Sequence, residues 1–147
     1  KTDQALDLIE ANPDVASEDG EGALLSRVEV LVQGGRAEEA LALLDAALAK
    51  RASSAALLNG RCWFKALTNT DLAGALADCS RAIEISGEPS TYFDSRAMVH
   101  FRAGRAKEAI QDLDSALAIE PELAASRFMR AMRSPSNMRS IHKKISV

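Results

Sequence analysis

Apolar residues recur three and four positions apart along most of the chain, and polar residues fill the positions between them. This spacing is typical of α-helices that bury one face. Leucine and alanine dominate, and aromatic residues, which favour strands, are few. Glycine and proline separate the periodic segments, as at Gly34-Gly35 and Gly87-Glu88-Pro89. The pattern predicts an all-α chain with helices over about residues 3–11, 23–33, 37–50, 54–67, 71–85, 90–102 and 106–119, and a last helix that begins near Glu122.

Three of these segments carry the same motif, in which two alanines stand seven residues apart with a larger residue between them. The motif recurs after 35 and then 34 residues. A fixed period of this length is typical of stacked helical hairpins. The three copies are Ala40–Leu44–Ala47, Ala75–Cys79–Ala82 and Ala109–Leu113–Ala116.

A series of arginines has the same period and locates an irregularity in it. Arg27, Arg61, Arg96 and Arg130 are separated by 34, 35 and 34 residues. The gap from arginine to first alanine is 13 residues in the first and third repeats and 14 in the second. An extra residue is tolerated best in a turn. We therefore expect it in the turn Thr68-Asn69-Thr70-Asp71, which corresponds to Gly35-Arg36 and Gly104-Arg105 in the other repeats.

These residues resemble the tetratricopeptide repeat (TPR) over about residues 22–133. The third repeat matches best, with an aromatic residue and a small residue in its first helix, two alanines in its second helix and a terminal proline; these are Phe93, Ala97, Ala109, Ala116 and Pro121. The sequence departs from the family pattern because arginine replaces the usual leucine in every repeat, His100 takes the place of a tyrosine, and the first two repeats lack the final proline.

The resemblance implies antiparallel helical hairpins stacked as a right-handed TPR-like solenoid. Residues 1–136 would form a single domain, followed by a basic tail over 137–147. The domain would comprise a partial hairpin at 1–13, repeats at about 21–53, 54–89 and 90–123, and a last helix at about 122–133. The tail would cap the last helix, reach into a neighbouring molecule or stay disordered.

The resemblance also implies a function, because TPR domains bind extended segments of partner proteins on the concave surface lined by the first helix of each hairpin. We expect a protein-interaction scaffold whose groove takes an extended or helical, partly apolar segment. Trp63, Met98 and Phe101 are the candidate anchors, unless they pack against neighbouring helices or the tail. The implied groove residues are Leu25, Glu29, Val32, Asn59, Trp63, Ala66, Asp94, Met98, Phe101, Phe128 and Met132.

A subclass of the family clamps the C-terminal carboxylate of chaperones with lysines and asparagines. The corresponding positions here carry no lysine, so we do not expect such a clamp. They are Leu25, Glu29, Asn59, Asp94 and Ser95.

Side chains that carry chemistry are sparse. His100 and His142 stand alone, and Gly34-Gly35-Arg36 lacks the lysine and serine of a phosphate-binding loop. Cys62 and Cys79 lie in one repeat at small or core positions, so we expect buried thiols, with metal or redox use as the alternative. We predict no enzyme, no catalytic residues, no metal site and no cofactor. Two cysteines without a disulfide framework favour a reducing, cytoplasmic compartment.

Charge adds one alternative function. The net charge of −3 gives no reason to expect nucleic acid, and no apolar run approaches the roughly 18 residues that would span a membrane. Residues 1–22 nevertheless hold seven acids and one base, whereas the part after Glu122 holds six bases and no acid. Complementary ends would permit salt-sensitive self-association between copies. A further alternative is an accessory domain of a larger enzyme.

Overall fold

The computed structural model describes residues 3, 4, 7, 20–87 and 89–122. This part of the chain is all-α, and its six continuous helices form three antiparallel hairpins. They are α1 (Glu21–Gln33), α2 (Ala37–Lys50), α3 (Ala55–Thr68), α4 (Leu72–Ser86), α5 (Ser90–Arg102) and α6 (Ala106–Ile119). The predicted last helix and the basic tail lie outside the described residues apart from Glu122, as does most of the predicted helix over 3–11.

The helices agree closely with the predicted segments. Three have the predicted bounds, α1 begins two residues earlier, and α3 and α4 are each displaced by one residue. The displaced starts reflect N-capping, because the cap residue itself is not helical. The Ser54 side chain accepts a hydrogen bond from the Leu57 amide at 3.2 Å, and the Asp71 side chain accepts one from the Gly74 amide at 3.0 Å.

The turns inside the hairpins share one backbone design. A residue with positive φ follows the end of the first helix within two positions; it is Gly35, Asn69 or Gly104. The amide of the following residue then donates to a carbonyl five positions back, as from Arg36 to Leu31 at 2.8 Å. Between the positive-φ residue and the next helix the second hairpin has two residues, Thr70 and Asp71, where the other hairpins have one, and Asp71 also has a positive φ of 40°. The extra residue therefore lies in the predicted turn.

The hairpins stack into a curved array. The first helices α1, α3 and α5 contact one another in succession, whereas α2, α4 and α6 make no such contacts among themselves. The first helices therefore form the inner, concave layer and the second helices the outer layer. The six alanines of the repeated motif are all buried between these layers, which lets the helices approach closely.

Equivalent positions of each hairpin meet in its core. Val28 and Leu44 belong to one buried cluster, and Ala97 and Leu113 belong to another. In the middle hairpin the same two positions are Cys62 and Cys79, both fully buried.

The prediction of free buried thiols is wrong, because Cys62 and Cys79 form a disulfide. Their Cα atoms are 5.5 Å apart, a separation that suits such a bond. The pairing follows from the packing of these two positions in every hairpin, which the linear spacing of the cysteines does not reveal. It removes the support that free thiols gave to a reducing compartment.

Candidate functional site

A cavity of 490 Å³ opens on the concave layer, between α1, α3 and α5. Each helix contributes side chains from one stripe of its surface. The lining residues are Leu25, Ser26, Glu29, Asn59, Gly60, Trp63, Phe64, Thr91, Asp94, Ser95 and Met98.

Six of the eleven residues predicted for the groove line this cavity: Leu25, Glu29, Asn59, Trp63, Asp94 and Met98. Val32 instead packs against the core of the first hairpin, Ala66 is fully buried beside the disulfide, and Phe101 packs against Ala97 and Leu113. Phe128 and Met132 lie outside the described residues.

The cavity also has five lining residues that are not among the predicted groove residues, although Ser95 is one of the positions compared with the carboxylate clamp. Four of them directly follow predicted residues in the sequence: Ser26, Gly60, Phe64 and Ser95. The fifth, Thr91, stands one helical turn before Asp94. A helix presents two adjacent positions per turn to a wide groove, so a stripe of two positions would have included them.

Two of the predicted anchors are held by the core while they face the cavity. Trp63 is half-buried against the core of the first hairpin. Met98 packs against both the disulfide cluster and the Ala97–Leu113 cluster. Both therefore combine the two roles that the sequence left open, because they pack against neighbouring helices and also line the cavity.

Gly60 allows α1 to lie close to α3. A Cβ atom at this position would collide with Cδ2 of Leu25. The missing side chain therefore leaves room for Leu25, which itself lines the cavity.

The charged lining residues are both acidic. Glu29 is exposed on α1 and accepts a hydrogen bond from Gln33 at 3.2 Å, whereas Asp94 on α5 is only 7% exposed. Asn59, on the helix between them, has a buried Oδ1 atom without a hydrogen-bond partner among the described residues. None of the eleven described lining residues is lysine, arginine or histidine.

Two of the recurring arginines, Arg61 and Arg96, do not line the cavity but tie the two layers together. Arg61 donates two hydrogen bonds to Asp78, at 2.7 and 2.6 Å, and a third to Asp45 of the preceding hairpin at 2.6 Å. The bonds to Asp78 raise the pKa of the Arg61 guanidinium above its ordinary value, against the effect of burial. Arg96 makes the equivalent pair of bonds to Asp112, at 2.8 and 2.6 Å.

The lysine of α3 is also paired with carboxylates. The Nζ atom of Lys65 lies 2.7 Å from Oδ2 of Asp71 and 3.6 Å from Oδ2 of Asp78. The charges of Arg61, Lys65 and Arg96 are thus largely compensated by carboxylates outside the cavity lining.

His100 lies away from the cavity, where it faces the ion pair of the third hairpin. Its Nε2 atom is 3.6 Å from Asp112. Burial lowers the pKa of His100 below its ordinary value, and the neighbouring Asp112 carboxylate opposes that shift. The histidine is therefore neutral at neutral pH, as the uncharged tyrosine of the family pattern would be.

Metal ligands and membrane-spanning helices were the remaining features of interest in the described residues. Nowhere within these ranges do three histidine, cysteine or acidic side chains gather as metal ligands. In the same part of the chain, every helix is too short or too polar to cross a membrane.

Comparison with known proteins supports the fold. No family model matches the chain, and no curated protein does. Among solved structures, the chain is similar to the second TPR of Spaghetti (RPAP3) bound to the HSP90 peptide SRMEEVD. The two share 24% sequence identity, the similarity covers 72% of this chain and 97% of the other, and the TM-score is 0.60. The prediction of stacked TPR-like hairpins is confirmed, and the chain has the fold of a tetratricopeptide repeat domain.

Proposed function

We propose that the chain is a protein-interaction module and not an enzyme. The cavity between α1, α3 and α5 takes an extended or helical, partly apolar segment of a partner protein. The module offers the partner a shaped recess with apolar anchors and polar side chains around them.

One observation carries this proposal: Leu25, Trp63 and Met98, from three different helices, line the same cavity. Tryptophan is enriched at the energetic centres of interfaces, and methionine adapts to varied partners. Because the core holds both Trp63 and Met98 in place, little conformational entropy is lost when a partner covers them.

The structural neighbour supports the class of ligand but not its sequence. Its peptide, SRMEEVD, contains three acidic residues. The described residues that line the cavity of the present chain include Glu29 and Asp94 and no lysine. We therefore propose that this chain uses the same fold for a different peptide and does not clamp an acidic tail.

Selection from a peptide library tests the proposal. The domain and a Trp63→Ala, Met98→Ala variant are each immobilised and offered the same library of displayed peptides. A matched control replaces two exposed apolar residues of the outer layer, Ile85→Ala and Ile119→Ala. Circular dichroism and thermal melting establish that all three proteins are equally folded.

We expect the domain and the outer-layer control to enrich the same peptides and the cavity variant to lose them. Equal enrichment by all three proteins would contradict the proposal, because binding would then not depend on the cavity.

A further inference from the structure

We propose that the Cys62–Cys79 disulfide controls the cavity, so that the affinity for a partner segment depends on the oxidation state of this pair. The inference rests on the proposed function and adds its regulation. The oxidised protein is the binding form, and the reduced protein binds the same segments more weakly.

One packed cluster connects the disulfide to the cavity. Cys62 and Cys79 are buried in it together with two alanines and a valine, which are Ala66, Ala75 and Val99. Met98 on α5 packs against this cluster and also lines the cavity. A change in the packing around the sulfur atoms therefore reaches the cavity through one side chain.

A second connection runs along α3. Trp63 directly follows Cys62 in this helix, and it lines the same cavity. The disulfide ties this turn of α3 to α4. The bond therefore holds the backbone that carries Trp63 as well as the cluster against which Met98 packs.

Reduction requires space that the cluster does not have. Two bonded sulfur atoms lie closer together than two thiols in contact can, so breaking the bond forces the cysteines apart. The cysteines, Ala66 and Ala75 have no exposed surface, and Val99 is almost completely buried. A close-packed interior accommodates extra volume only when side chains or backbone move.

Met98 is the neighbour that can move on the cavity side. It is only partly buried, and its unbranched side chain adapts readily to a new shape. The other partly buried neighbours, Leu72 and Leu76, belong to α4 in the outer layer and are not among the described lining residues. Displacement of Met98 changes the wall that the partner contacts, so the affinity falls.

A dithiol supplies the electrons for the reduction. One of its thiolates attacks a cysteine sulfur, forms a mixed disulfide and releases the other cysteine as a thiolate. The second thiolate of the reductant then attacks the mixed disulfide, releases the remaining cysteine and closes a cyclic disulfide in the reductant. The two cysteine thiolates take up the two protons that the dithiol gave up, so the protein gains two electrons and two protons.

Burial makes this exchange depend on opening of the middle hairpin. A reductant reaches the two sulfur atoms only when α3 and α4 separate, because neither cysteine has exposed surface. A partner that contacts Trp63 and Met98 holds α3 and α5 in place and opposes the opening. Binding and oxidation therefore favour each other, and by linkage each raises the other by the same factor.

A comparison of the oxidised and the reduced domain tests the inference. One sample keeps its disulfide, and the other is reduced with a dithiol in denaturant and refolded with the dithiol present. Circular dichroism establishes that both are folded, and mass spectrometry after alkylation counts their thiols. Each is immobilised and offered the library of displayed peptides that tests the proposed function.

Two variants are the controls. Cys62→Ala with Cys79→Leu cannot change its oxidation state, so it should retain peptides equally with and without the dithiol. Asp71→Ala removes the N-cap of α4 and a carboxylate partner of Lys65, so it destabilises the same hairpin but keeps the disulfide. It should retain peptides as well as the oxidised domain does.

The methyl group of Met98 reports the coupling without any peptide. The domain is labelled with 13C at its four methionine methyl groups, and a Met98→Leu variant assigns the resonance. We expect the Met98 resonance to differ between the oxidised and the reduced domain. In the double cysteine variant the dithiol should leave it unchanged.

We expect the reduced domain to retain the enriched peptides at least about fivefold less well than the oxidised domain. The converse should also hold in a buffer that contains the dithiol and its cyclic disulfide. There, a saturating amount of one enriched peptide should raise the ratio of oxidised to reduced protein by the same factor.

The outcomes separate the two proposals. Equal retention by the oxidised and the reduced domain, with loss in the Trp63→Ala, Met98→Ala variant, would overturn the redox control and leave the proposed function in place. An unchanged Met98 resonance would also overturn the redox control, as would an equal loss of retention in Asp71→Ala, because lower stability would then explain the effect. Full retention by the Trp63→Ala, Met98→Ala variant would overturn the proposed function itself.

Discussion

Individual residues show how the repeat connects its two layers. Asp78 and Asp112 stand three positions after the first alanine of their motifs. Each accepts hydrogen bonds from the arginine of the same hairpin. The equivalent position of the first hairpin is Leu43 and not aspartate. At Arg61 and Arg96 the arginine period is therefore a structural signal, because both side chains bond to aspartates of the outer layer.

The first prediction concerns the ion pair of the third hairpin. Asp112→Ala should lower the free energy of unfolding by about 3 kcal/mol, because it leaves the Arg96 guanidinium without its main acceptor. Urea unfolding followed by circular dichroism measures the change. Asp114→Ala, an exposed change on the same helix, should stay within about 0.5 kcal/mol of the wild type. Equal midpoints for the two variants would contradict the structural role of the pair.

The second prediction concerns Gly60. In Gly60→Ala the new methyl group collides with Leu25, so Leu25 must move within the cavity, and peptide retention should fall at least about tenfold. Gly22→Ala is the control, because a Cβ there meets nothing within 4 Å. It should keep peptide retention and leave the stability unchanged or slightly raised. Equal retention by both alanine variants would show that Leu25 does not shape the site.

For single residues, the sequence indicates which helical turn a residue occupies better than whether its side chain faces the cavity or the core. The repeat register places Leu25, Trp63 and Met98 at equivalent turns of successive hairpins, and all three line one cavity. The register does not show that Ala66 is buried in the core and absent from the cavity lining, since burial depends on how closely neighbouring helices approach. The disulfide could also have been predicted from the repeat register, because Cys62 and Cys79 occupy the positions equivalent to Val28–Leu44 and Ala97–Leu113.

Single helices and turns follow from short-range rules. The glycines with positive φ at 35 and 104 and the caps at Ser54 and Asp71 depend on few neighbours, so sequence patterns predict the helix bounds to within two residues. The disulfide joins α3 to α4, which a local pattern cannot indicate. It links the helix that carries Asn59 and Trp63 to the outer layer.

The third prediction concerns this hairpin. Reduction should lower the stability of the domain by roughly 3 kcal/mol, as expected when a bond closing a loop of this length is lost; the sequence separation is 17 residues. Because both cysteines are fully buried, the protein is reduced in denaturant and refolded with the reductant present. Thermal melting with and without reductant then gives the difference.

A double variant provides the control for that measurement. Cys62→Ala with Cys79→Leu copies the residue pair of the third hairpin, so it should fold and should melt at one temperature under both conditions. If the wild-type domain also melted at one temperature, and its two thiols reacted with a labelling reagent without prior reduction, the disulfide assignment would be wrong.

The whole molecule turns the repeat into a concave surface. Contacts along the inner layer bring α1, α3 and α5 together and leave the outer helices apart, so the curvature follows from packing and not from any one residue. The sequence predicted the stack of hairpins because each hairpin repeats the same apolar face. It did not predict the volume of the cavity, nor that Val32 and Phe101 are absent from its lining, because both depend on distances between helices.

The opposite charges of the two chain ends also concern the whole molecule. Most of the acidic first segment, residues 1–22, and all of the basic segment after Glu122 lie outside the described residues. Salt-sensitive self-association and an accessory role in a larger enzyme therefore stay predictions.

The most direct test of the central claim is to map a bound peptide by NMR. The domain, labelled at amide nitrogens and at methyl groups, is titrated with a peptide retained in the library selection. We expect the largest shift changes at the Trp63 indole and at the Leu25 and Met98 methyls, with little change at Ile85 and Ile119. Changes concentrated on α2, α4 and α6 would contradict the account, because the partner would then bind the outer layer and not the cavity.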